Sequence, residues 1–95
     1  MKTVLERVAD ERKRQDEKWG VQDHNAVEWV AILTEEVGEA SKEAVDFHFN
    51  NGTEDVNTPA SREVQEKRIK ALKKELIQTA AVAIQAVESI ERQAF

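Results

Sequence analysis

The stretch LKKELIQTAAVAIQAVESI, residues 72–90, decides the fold of this chain. Between Leu76 and Val87 the apolar residues cover nearly every side of a helix. A helix that is apolar all round must be buried all round. The rest of a small chain cannot surround it, and the several alanines allow close helix approach. The stretch therefore predicts a homo-oligomer, either a dimer or a tetramer.

The remainder of the chain also indicates helices, because it has only three glycines and one proline and little of the alternation typical of strands. Gly20 can end a first helix, and Asn25 with Glu28 three residues later matches a capping box that begins a second. We therefore predict an all-α protomer of three helices. Their expected spans are about 3–18, from Asn25 to the turn at 50–52, and from Thr58-Pro59, with Thr58 as N-cap, to Arg92.

Length and composition limit the function. The 95 residues predict a single domain, 1–95, and a net charge of -5 argues against binding to a nucleic-acid polymer. No apolar run is long enough for a membrane span or a signal peptide. Cysteine is absent, which fits a reducing cytoplasm. We expect a cytoplasmic protein without a membrane partner.

Two acidic clusters lie inside the helical patterns: Glu35-Glu36-Val37-Gly38-Glu39, and Glu75 with Gln78 one turn later. Glu36 and Glu39 share a helix face, where like charges repel. Most glutamates on helices form solvated surfaces, but apolar residues flank both clusters, and this favours a cleft between helices. A hard divalent cation removes the repulsion, because Mg²⁺ is bound by carboxylates together with substrate phosphates.

These clusters belong to a longer series that begins with Arg14-Gln15-Asp16-Glu17-Lys18-Trp19-Gly20, continues through His24 and Trp29 to residues 35–39, and ends with residues 75–83. The series resembles the MazG-like branch of the all-α nucleoside triphosphate pyrophosphohydrolases over nearly the whole chain. The resemblance implies a three-helix protomer that assembles into an oligomer of the four-helix-bundle type. It also implies Mg²⁺-dependent cleavage of a nucleoside triphosphate into the monophosphate and pyrophosphate.

The resemblance also implies a ligand set for Mg²⁺, with Mn²⁺ as the alternative ion. Glu36 and Glu39 match the first Glu-x-x-Glu motif of the family, and Glu75 matches the first position of its Glu-x-x-Asp motif. The chain departs from the family at Gln78, which stands where aspartate is usual. An amide oxygen can bind Mg²⁺ but brings no charge.

Other residues are candidates for catalysis or substrate binding. Glu35 is expected to orient the attacking water or to act as an outer metal ligand, or else it is a surface charge. Trp29 and His24 are candidates for binding the base, although tryptophan is more often a core residue. The candidates for contacting phosphate are Lys18, Lys42, Arg12 and Arg14. Lysine and arginine side chains are more commonly found in surface ion pairs.

Two other functions stay open. The neutral Gln78 is compatible with a helical oligomerisation or interaction module that keeps the fold and has lost the chemistry. A carboxylate-bridged redox metal site is the third hypothesis, and the absence of a Glu-x-x-His motif argues against it. Pyrophosphate release would distinguish the enzyme from both, and metal content would distinguish the other two.

Overall fold

A computed structural model describes residues 1–49 and 59–93, and within them every regular element is an α-helix. Helix α1 spans Val4–Trp19, α2 spans Ala26–Phe49 and α3 spans Pro59–Arg92. The prediction of an all-α protomer with three helices is confirmed. The turn expected at 50–52 and the capping role of Thr58 lie outside the described residues, but α3 does begin at Pro59 as predicted.

Local capping explains where the first two helices begin and end. The Thr3 hydroxyl accepts a hydrogen bond from the Glu6 N–H, and the Glu6 carboxylate accepts one from the Thr3 N–H. Asn25 and Glu28 form the same reciprocal pair at the start of α2, at 2.8 and 3.0 Å, as the sequence predicts. Helix α1 ends at Gly20, whose φ of 72° lies in the left-handed region that favours glycine.

The longest helix, α3, is the centre of the protomer. Both α1 and α2 pack against α3, whereas within the described residues α1 and α2 do not contact each other. The molecule is elongated, at 56 × 30 × 19 Å, which matches the length of about 51 Å expected for a 34-residue helix. Part of the surface of α3 is not covered by α1 or α2.

The loop between α1 and α2 is attached to the end of α3. The Arg92 guanidinium donates to the Asp23 carboxylate at 2.9 Å and to the Gln22 carbonyl at 3.2 Å. The Gln93 side-chain amide donates to the His24 carbonyl at 2.7 Å. These contacts fix the start of α2 beside the C-terminal end of α3.

The hydrophobic core is small. Its buried apolar side chains among the described residues are Val8, Trp29, Ala40, Ala81 and Val82. On α3, Leu76 and Val87 remain 51% and 56% exposed, and Ile84 is exposed as well. No helix in the described ranges is long and apolar enough to cross a membrane.

Candidate metal centre

Three carboxylates meet where α2 packs against α3. Glu36 and Glu39 lie one turn apart on α2 and share a face of that helix, and Glu75 approaches them from α3. One carboxylate oxygen from each residue lies within 4.8 Å of the other two. The structure thus brings together the three glutamates that were predicted to be metal ligands, and we call them the glutamate cluster.

The cluster is electrostatically strained. Burial raises the pKa of Glu36, and the nearby charges of Glu39 and Glu75 raise it further. Burial also raises the pKa of Glu75. Glu39 raises it further, both through its charge and through a hydrogen bond between the two carboxyl groups. Ionisation of Glu36 and Glu75 is therefore less favourable here than in water, and a nearby positive charge would oppose this effect.

One oxygen of the cluster has no partner. Glu75 Oε2 is inaccessible to solvent and accepts no hydrogen bond from the described part of the chain. A buried acceptor without a partner costs about 1–3 kcal/mol, and more when it is charged. A cation bound between the three carboxylates would satisfy this oxygen and relieve their repulsion, so the residues present fit a divalent metal ion.

Three further acids act on the cluster. Glu35, which is exposed at the neighbouring position on α2, raises the pKa of Glu36, as does Glu11 from α1. Glu43 similarly raises the pKa of Glu75. The sequence analysis missed Glu11 and Glu43. Helical spacing could have found Glu43, which lies four residues after Glu39, but nothing in the sequence places α1 beside this site.

Gln78 faces towards α1. Its side chain lines a cleft between α1 and α3 together with Arg7 and Glu11. Its backbone carbonyl accepts a hydrogen bond of 3.4 Å from the side-chain amide of Gln15, which is only 2% exposed. Gln15 also donates to Glu11 at 3.1 Å. Metal binding by Gln78 stays a prediction.

Trp29 is a core residue of the protomer. Its side chain is 2% exposed, and the His24 ring packs edge-on against it at 4.9 Å between ring centroids. A nucleobase can stack on Trp29 only if the covering atoms move. Trp19 is the more accessible tryptophan, since it is 53% exposed. Base binding by Trp29 and His24 stays a prediction.

The candidate phosphate-binding cations differ in their surroundings. The Lys18 ammonium lies 4.7 Å from the centre of the Trp19 ring, and Lys42 is exposed without an ion pair to any described residue. Arg12 is paired with Asp16 and Glu88, and Arg14 with Glu11. These carboxylates already neutralise the two arginines, whereas neither lysine has a carboxylate partner among the described residues.

Comparison of the chain with protein-family models, with curated proteins and with solved structures found no match in any of the three.

Proposed function

We propose that this protein hydrolyses a nucleoside triphosphate to the monophosphate and pyrophosphate in a Mg²⁺-dependent reaction, as a member of the MazG-like family. The observation that carries the proposal is the glutamate cluster, with its three oxygens within 4.8 Å and its buried, unpartnered Glu75 oxygen. The order of motifs along the chain supports the choice of reaction.

The donor set favours a hard cation. All three ligands are carboxylates, the chain has no cysteine, and neither of its two histidines belongs to the cluster. Oxygen-only donors suit Mg²⁺ or Mn²⁺ rather than zinc or a redox metal with histidine ligands. Three carboxylates leave coordination positions for water and for phosphate oxygens, which is how Mg²⁺ is usually bound in phosphoryl-transfer enzymes.

The roles of the residues follow from this arrangement. Glu36, Glu39 and Glu75 hold the cation, with Gln78 as a neutral fourth ligand. When bound, Mg²⁺ supplies positive charge that offsets the charge developing on the phosphate oxygens. Glu35 orients a water molecule and accepts its proton as the oxygen attacks the α-phosphorus. The bond from that phosphorus to the bridging oxygen breaks, and pyrophosphate leaves.

Substrate binding completes the proposal. Trp29 and His24 contribute to the pocket for the base, after the local movement that exposure of the Trp29 ring requires. Lys18 and Lys42 contact phosphates, since neither has a carboxylate partner among the described residues. Nucleotides and free Mg²⁺ are both abundant in the cytoplasm, which we assign as the location.

The active form is a homo-oligomer of the four-helix-bundle type. Leu76, Ala80, Ala83 and Val87 follow one another at intervals of four, three and four residues and form an apolar stripe along α3. The protomer exposes 6863 Å², more than the about 5,500 Å² expected for a folded monomer of 10.8 kDa. A second copy packed along this stripe would cover it.

The test is a screen of nucleoside triphosphates with Mg²⁺ that measures pyrophosphate and monophosphate separately. We expect equal amounts of the two products from at least one nucleotide. Glu39→Gln should abolish the release, and Glu91→Gln, an exposed glutamate on α3 about 24 Å from Glu75, should not. If no nucleotide yields pyrophosphate, the enzyme proposal fails and the helical interaction module replaces it.

A further inference from the structure

A second site lies beside the glutamate cluster, in the cleft between α1 and α3. The cleft has a volume of about 390 Å³, and we call it the basic cleft. Its lining residues are Arg7, Glu11, Lys70, Lys73, Lys74, Ile77 and Gln78.

Positive charge is concentrated in this cleft, although the whole chain carries a net charge of -5. Four of the seven lining residues are cationic and one is acidic. The acid, Glu11, is already bound by Arg14 through two hydrogen bonds of 2.7 and 2.8 Å. The cleft therefore has cations without an equal number of available carboxylates.

None of the four cations makes an ion pair with any residue that the structure describes. Lys74 acts on Glu11 and Glu75 only through its charge, and Arg7, Lys70 and Lys73 lack even that interaction with the two acids. Like charges that line one concave surface repel one another and raise the local positive potential. An anion with several oxygens would relieve this repulsion and accept several charge-assisted hydrogen bonds at once.

The basic cleft adjoins the glutamate cluster. Lys74 lies next to Glu75 on α3, and its charge favours the ionised forms of both Glu75 and Glu11. Glu11, on the opposite wall of the cleft, lies near enough to Glu36 to raise its pKa. The glutamate cluster and the basic cleft therefore lie side by side, with Glu75 and Lys74 as neighbouring residues of α3.

We propose that the basic cleft binds the two terminal phosphates of the substrate and the pyrophosphate derived from them. The role in catalysis rests on the proposed function, but binding of the anion does not require the metal. The proposal also assigns a role to Gln78. Its neutral amide forms part of the wall and can donate a hydrogen bond to phosphate, whereas an aspartate there would repel it.

The experiment is calorimetric titration of the full chain with inorganic pyrophosphate in metal-free buffer. We expect pyrophosphate to bind more tightly than orthophosphate. The double variant Lys70→Ala/Lys73→Ala should bind it at least tenfold more weakly, since each lost charged contact accounts for about a tenfold change or more. Lys13→Ala, which removes an exposed lysine of α1 outside the cleft, should bind as wild type does.

Circular dichroism of each variant establishes that the helices are intact. Equal pyrophosphate affinity in the double variant and in Lys13→Ala would overturn the proposal, as would no detectable binding to the wild-type protein. Tighter binding of a single-stranded oligonucleotide than of pyrophosphate, lost in the same double variant, would also overturn it in favour of a nucleic-acid surface.

The outcome is independent of the proposed function. Glu36→Gln should not weaken metal-free binding of pyrophosphate, because it removes no group of the cleft and only lowers the nearby negative charge. If pyrophosphate binds through Lys70 and Lys73 but no nucleotide is hydrolysed, the enzyme proposal fails and the cleft remains a polyphosphate site. If a nucleotide is hydrolysed while the double variant binds pyrophosphate normally, the cleft proposal fails alone.

Discussion

The buried oxygen of Glu75 connects the stability of this protein to its chemistry. A carboxylate oxygen that is removed from water and given no donor destabilises the folded chain, and the neighbouring Glu39 adds repulsion. Such an arrangement favours the binding of a positive charge. Variants of the glutamate cluster should therefore change metal affinity and metal-free stability in opposite directions.

Glu39→Gln should lower the affinity for Mg²⁺ and raise the stability of the metal-free protein. We expect Mg²⁺ affinity to fall by at least tenfold, because one of three charged ligands is lost. Without metal, the variant should be more stable by a few tenths of a kcal/mol, since a like-charge contact is removed. That corresponds to a melting temperature about 1–3 °C higher at fixed protein concentration. Glu91→Gln is the matched control, and unchanged Mg²⁺ affinity in Glu39→Gln would eliminate the site.

The pH dependence of stability should identify the same residues. The pKa of Glu75 is raised above the ordinary 4.5, so at a pH between the unfolded and folded pKa values the metal-free folded protein holds a proton that the unfolded chain has released. Its contribution to the free energy of unfolding therefore falls as pH rises above about 4.5. Glu11, whose pKa is lowered chiefly by its hydrogen bond to Arg14, has the opposite dependence.

A comparison of wild type with Glu75→Gln separates these effects. The variant should gain more stability over wild type at pH 7 than at pH 5, as measured by urea unfolding without metal. Saturating Mg²⁺ should reverse the order at pH 7, because only the wild type binds it well. An equal difference at both pH values would show that Glu75 does not titrate as we expect.

The two proposed sites favour different side chains at position 78: a carboxylate would favour metal binding, and a neutral amide favours phosphate binding. Gln78→Asp should tighten Mg²⁺ binding, since a full charge at about 4 Å contributes on the order of 1–4 kcal/mol in a partly solvated site. The same charge should weaken pyrophosphate binding in the basic cleft. Gln78→Asn has the length of aspartate without its charge and should do neither. If Gln78→Asp leaves both affinities unchanged, Gln78 contacts neither ligand.

At the scale of the helices, the sequence predicts most boundaries because the signals are local. Asn25 with Glu28 and the glycine at position 20 specify helix ends through contacts within a few residues. The shared face of Glu36 and Glu39 follows in the same way from the helical repeat. That Glu75 joins them was inferred from the resemblance and not from spacing.

The remaining features depend on how the helices dock. Glu11 approaches Glu36, and Arg7 faces Lys70 and Lys73, only because α1 packs on α3 at one particular rotation. A hydrophobic pattern identifies a buried face but does not fix that rotation between neighbouring helices. The burial of Trp29 depends on tertiary packing for the same reason.

The capping box of α2 should stabilise the helix that carries Glu36 and Glu39. Asn25→Ala removes the side-chain oxygen that accepts the Glu28 N–H, and such a loss costs about 1 kcal/mol. We expect the free energy of unfolding in urea to fall by that amount, with unchanged Mg²⁺ affinity per folded molecule. Asn25→Asp keeps an acceptor at the cap and is the control. A loss as large in Asn25→Asp would show that the cap is not the cause.

At the scale of the whole molecule, stability depends on what covers α3. The described core has only five buried apolar side chains, whereas Leu76, Ile84 and Val87 on α3 stay about half exposed. Domains of this size have little hydrophobic stabilisation, and association commonly supplements it. Burying the stripe on α3 in a second copy would complete the core.

Ala83→Glu tests this assembly, because Ala83 is half-buried within the stripe and a partner helix would enclose the added carboxylate. Light scattering at micromolar concentration should show a dimer or tetramer for the wild type, and a monomer or an unfolded chain for Ala83→Glu. Ala9→Glu places the same charge at an exposed position of α1 and should leave the mass unchanged. A monomeric wild-type protein would contradict the proposed oligomer.

An oligomer that tolerates Ala83→Glu would instead place the interface elsewhere. The next residues to substitute would then be the exposed valines of α2, which are Val27, Val30, Val37 and Val45.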